Sequence, residues 1–154
     1  MRKTIKKRLA IAAAAIAAAA IAIILSGRIM ATSSGYPNPE SFSSAEIYVY
    51  DSDFNEHIER LSSDEEARLR NALFWIWPMG EKSDQSLIEP QAGWIGEMFL
   101  LTMPDGSKLR VKDTYQHILI ENLTFPEKSG LWPSNSLSLT ALHKVYEDMI
   151  KNYK

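Results

Sequence analysis

The sequence WIGEMFLLTMPDGSKLRVKDTYQHILIENLTF, residues 94–125, holds three apolar or alternating runs around one tight turn. Pro104-Asp105-Gly106 combines a fixed φ, a side chain that can bond the backbone ahead of it, and a residue free to take positive φ. Together these make a hairpin turn. The flanking runs Trp94–Met103 and Ser107–Lys112 are its strands. Lys108, Arg110 and Lys112 alternate with Leu109 and Val111, so one face of the second strand is wet. Tyr115–Phe125 reads as a further strand, which extends the hairpin into an antiparallel meander.

Downstream, Pro126–Ser136 is a Pro-, Gly- and Ser-containing connection that carries Trp132. Leu137–Tyr153 follows with Leu139, Leu142, Tyr146, Met149, Ile150 and Tyr153 on one side of a helix, capped by Ser136 or Ser138. Upstream, Ser63-Asp64-Glu65-Glu66 reads as a capping box, Ser63 accepting from the Glu66 N–H while Glu66 reaches back. Leu69, Ala72, Leu73 and Ile76 continue at helical spacing, and Pro78 stops the helix after Trp77. Between this helix and the meander, Met79–Gly93 has two Gly, a Pro and no apolar period, so it reads as a long surface loop. Ala45–Asp51 alternates Ile47 and Val49 with Glu46, Tyr48 and Tyr50, the pattern of a strand. The expected domain, residues 45–154, is thus β-α-β-β-β-α, an α+β fold with an antiparallel sheet and helices on one face. Residues 32–44 (TSSGYPNPESFSS) lack any apolar period and read as a flexible tether.

The first 31 residues are of another kind. Arg2, Lys3, Lys6, Lys7 and Arg8 precede an uncharged apolar run, Leu9–Leu25, and no acidic residue occurs before Glu40. A basic segment followed by an apolar one enters a membrane with its N-terminus in the cytoplasm. Seventeen helical residues reach roughly 26 Å, close to the roughly 30 Å of a hydrocarbon core. Ten of the 17 are Ala, so insertion rests on the Ile and Leu residues. The length favours an uncleaved signal-anchor, single-pass and N-in/C-out, with the body of the chain outside the cytoplasm. The alternative is a cleaved signal peptide and a secreted module.

Charge divides at the same boundary. Residues 32–154 carry eleven basic against nineteen acidic residues, a net −8, while the whole chain carries −2. Such a body repels phosphate backbones, which argues against a nucleic-acid partner. The absence of Cys excludes disulfides, a thiolate nucleophile and Cys-ligated zinc.

No motif carries a chemical mechanism. Asp51-Ser52-Asp53-Phe54-Asn55 matches half of a calcium loop, but Glu56 stands where Gly is needed and Ser62 where a bidentate Glu is needed. Glu56, His57 and Glu59 cluster in sequence, and a metal site would require His117 or His143 from elsewhere. They read instead as a solvated, charged turn. Asp105 is explained by the hairpin, and Asn122-Leu123-Thr124 is a glycosylation sequon inside a strand. No catalytic residue, cofactor or metal is expected.

Aromatic residues remain. Leu69, Leu73 and Ile76 take the buried face of the first domain helix, leaving Phe74 and Trp77 on another, while Trp94 and Trp132 sit in or beside loops. Phe74, Trp77, Trp94 and Trp132 are the candidate groove for a partner or ligand, with completion of a small core as their alternative role. The sequence-based expectation is an anchored binding or accessory module working on another membrane or envelope protein. A secreted module that takes a small ligand or a cell-wall component is the second reading, and a hydrolase or metal-dependent enzyme a distant third.

Overall fold

A computed structural model describes residues 2–33, 35–50, 55–83, 98–114 and 116–153. Among these residues the helices and strands follow one another as α1 (Arg2–Ser33), β1 (Ser44–Tyr50), β2 (Glu56–Arg60), α2 (Ser63–Phe74), β3 (Phe99–Thr102), β4 (Lys108–Asp113), β5 (His117–Asn122), β6 (Gly130–Pro133) and α3 (Ser136–Ile150). Short 3-10 turns occupy Pro39–Ser41 and Pro126–Lys128. The strands form one antiparallel sheet in the order β2-β1-β3-β4-β5-β6. The chain is therefore α+β, an apolar N-terminal helix followed by a sheet with two further helices.

Period-two alternation sends one set of side chains to the helices. Ile47, Phe99, Val111 and Ile120 are aligned across β1, β3, β4 and β5 and are all buried. They share one core with Leu69 and Leu73 of α2 and with Leu139, Leu142, Tyr146 and Met149 of α3. The Tyr146 hydroxyl donates to the Tyr48 carbonyl at 2.8 Å, tying α3 to β1, and burial followed by the charge of Glu56 pushes its pKa up to about 12. On the opposite sheet face Glu121 receives Arg110 at 3.2 Å and Lys112 at 3.4 Å.

Two strands lie outside the expected four. β2 is exposed along its whole length, so this edge strand has no apolar alternation to reveal it. Glu56, His57 and Glu59 therefore sit on an extended edge rather than in a turn. β6 spans four residues between Gly130 and Pro133 and is held by pairing with β5. Residues 79–83, the start of the expected loop, run beside β6, with Met79 N–H donating to the Pro133 carbonyl and Ser83 N–H to that of Leu131, both at 2.8 Å. The rest of that loop, Trp94 and Asp51–Phe54 lie outside the described residues.

The capping box is one residue earlier than expected. Ser62 caps α2: its side chain accepts from Glu65 N–H, and its own backbone N–H donates to the Glu65 carboxylate at 2.9 Å. Glu66 is thereby released to accept from the Ala45 N–H at 3.1 Å, joining α2 to β1. α3 is capped by Asn135, whose side chain accepts from Ser138 N–H at 2.8 Å, rather than by a serine. Asp105 makes the expected turn, accepting from the N–H and hydroxyl of Ser107 at 2.9 and 2.7 Å, with Gly106 at φ 83°.

The expected tether packs onto the domain. Tyr36, Pro39 and Phe42 are buried, and the Arg70 guanidinium donates to the carbonyls of Glu40 and Phe42 at 2.9 and 2.8 Å while lying over the Phe42 ring. Two aromatic side chains and one arginine clamp supply enough local contact to order a segment whose composition alone reads as loop.

Candidate functional site

The junction between α1 and the domain is built from residues of no chemical reactivity. Along the last turns of α1, Ile24 is half-buried while Gly27 and Ala31 are buried, a three- and four-residue spacing that lies on one helix face. Gly27 is needed there for space. A Cβ at that position would meet the Trp77 indole at 3.0–3.1 Å, so the ring lies directly on the helix backbone. One turn later Ala31 enters the core, and its carbonyl accepts from the Tyr36 N–H at 3.0 Å as the chain turns through Gly35 at φ 71°.

α2 ends at Phe74 rather than after Trp77 as expected, because Trp75 and Ile76 N–H tighten onto the Ala72 and Leu73 carbonyls. Trp77 follows the exposed pair Phe74 and Trp75 and precedes Pro78. The rings of that pair meet edge to face at 5.3 Å and are 40% and 43% exposed. The Ser138 hydroxyl donates to the Trp75 carbonyl at 2.9 Å, which brings the start of α3, and Leu137 at 84% exposure, to the same edge. Met79 is also exposed. The edge therefore gathers Phe74 and Trp77 from the expected groove together with three residues that sequence reasoning passed over.

Trp132 is not part of that surface. Its ring is fully buried and meets Tyr36 edge to face at 5.4 Å, which assigns it to the core rather than to a groove. The cause is β6, which turns the ring inward beside Ile118. Trp94 lies outside the described residues.

A cleft of about 690 Å³ opens elsewhere, beside the β3–β4 turn, with Pro37, Lys82, Asp105, Asn122 and Lys128 among its lining. Phe74, Trp77 and Trp132, the expected aromatic residues among the described ones, are not in its lining. Asn122, the sequon residue, is buried and its side chain accepts from the N–H groups of Thr124 and Phe125 at 3.0 and 2.7 Å, so it closes a turn.

Three titratable groups meet between α3 and the end of β4. Asp113, at the end of β4, is fully enclosed, and Nδ1 of His143 on α3 lies 3.7 Å from its carboxylate. Nε2 of the same ring lies 3.2 Å from Glu147. A histidine set between two carboxylates suits anchoring α3 to the sheet better than taking a proton from a substrate. Among the described residues no three His, Asp or Glu side chains gather as metal ligands.

Comparison with protein-family models, with curated proteins and with solved structures gives no match.

Proposed function

We propose that this chain is a single-pass, N-in/C-out membrane protein whose α+β domain works outside the cytoplasm as a binding or accessory module for another membrane or envelope protein. One observation carries the reading: α1 enters the domain's architecture. Ile5–Gly27 is long and apolar enough to cross a membrane and is exposed from Ile5 to Ile23, whereas Gly27 at its end and Ala31 one turn further on are buried against the domain. A leader removed near Thr32 would take with it a core residue and the backbone on which Trp77 rests. Anchoring would also raise the domain's effective concentration near a membrane partner, so a modest contact surface suffices.

The natural absence of Cys makes the test direct. Lys6→Cys and Lys151→Cys are introduced singly into the full chain and treated in intact cells with a membrane-impermeant maleimide. Labelling of Lys151→Cys alone, on a species of full mass that resists carbonate extraction, is the expected result. A species beginning near Thr32 in the medium would replace this reading with that of a secreted module.

A further inference from the structure

We propose that Phe74, Trp75, Trp77, Met79 and Leu137 form a lipid-facing edge, seated in the outer headgroup layer of the membrane that α1 crosses. This inference rests on the anchored reading and adds how the domain sits. The contact between Trp77 and Gly27 sets the height. The 23 residues Ile5–Gly27 rise about 35 Å as helix, slightly more than a hydrocarbon core, so Gly27 stands at the outer boundary of that core. Trp77 lies against Gly27 at this level. Trp75 and Met79, each two residues away, lie within about 7 Å of it along the chain. Leu137 is fixed beside Trp75 by the Ser138 hydrogen bond. The headgroup layer on each side is about 5–7 Å thick, which matches that spread.

Charge supports the same occupant. The body of the chain is acidic, yet residues 67–80 and 129–146, the two segments that build this edge, contain no Asp or Glu. Exposed Trp beside apolar side chains, on stretches of chain free of Asp and Glu, is a composition that partitions to a membrane interface. Ile29, 70% exposed just beyond Gly27 on the far side of α1, presents a further apolar side chain at about the same level. A domain so seated lies against the bilayer instead of hanging from a tether.

The full-length protein is reconstituted in phosphatidylcholine vesicles with and without lipid brominated close to the headgroup, and flotation and Trp emission are read together. Flotation with quenched emission is expected, and Trp75→Ser should lose roughly half of that quenching, since Trp75 and Trp77 share the interface. Leu137→Asp, which places a charge on the edge, should lower the quenching without affecting flotation. Flotation with unquenched emission, or with quenching fully retained in Trp75→Ser, overturns the lipid-facing edge and leaves the anchor standing. Failure to float overturns both.

Discussion

The Tyr153 hydroxyl donates to the Glu65 carboxylate at 2.8 Å, closing the C-terminal end of the chain onto the first turn of α2. Asn152 donates to the same carboxylate at 3.1 Å, and Ser62 does so through both its backbone and its hydroxyl. Burial raises the Glu65 pKa, but these donors together outweigh burial and hold it at about 2. Burial and the same carboxylate push Tyr153 up to about 12.

Because the Glu65 pKa is depressed on folding, its contribution is complete above the unfolded value of 4.5 and is lost as pH falls from there toward about 2. The loss is on the order of 2 kcal/mol, allowing for solvent near the carboxylate. Urea midpoints measured from pH 6 to pH 2 should fall across this window, and Glu65→Gln should start lower and flatten the fall.

The register of the capping box is separable by two single substitutions. Ser62→Ala removes the side-chain acceptor for Glu65 N–H and a donor to its carboxylate, and should cost about 1 kcal/mol or more. Ser63→Ala, at the first helical residue, should change stability by less than about 0.5 kcal/mol. Equilibrium unfolding of both variants checks the assignment.

Gly27→Leu keeps α1 apolar but places a branched side chain where a single Cβ already meets the Trp77 ring at 3.0 Å. The indole must leave, at about 1–3 kcal/mol for overpacking. Red-shifted Trp emission and faster limited proteolysis between residues 33 and 44 are the expected signs, with membrane insertion unchanged.

Trp132→Ala empties the core beneath Tyr36 and should cost about 3–5 kcal/mol. A fully buried ring predicts loss of fold before loss of any surface contact. Urea denaturation midpoints of the variant and the unaltered chain check this.

The parts legible in the sequence are those whose signal is local. The Pro104-Asp105-Gly106 hairpin, the apolar faces of α2 and α3 and the alternation of β1 all express a period or a turn chemistry that a few neighbouring residues complete. β2 and β6 were not legible, because an exposed edge strand shows no alternation and a strand of four residues bounded by Gly and Pro reads as loop. Of the aromatic candidates, Phe74 and Trp77 share an edge with Trp75, whereas Trp132 does not; sequence spacing places a ring near a loop but not on one side of it.

By itself the sequence determined that an apolar helix precedes an acidic, disulfide-free α+β domain, since composition, charge asymmetry and periodicity are properties of the chain read in order. The tertiary structure alone decided that helix and domain meet. Gly27 against Trp77 and Arg70 over Phe42 join residues 50 and 28 positions apart, and Ala31 enters a core drawn from the whole domain. Each depends on two surfaces arriving at the same place, and no short-range pattern encodes that.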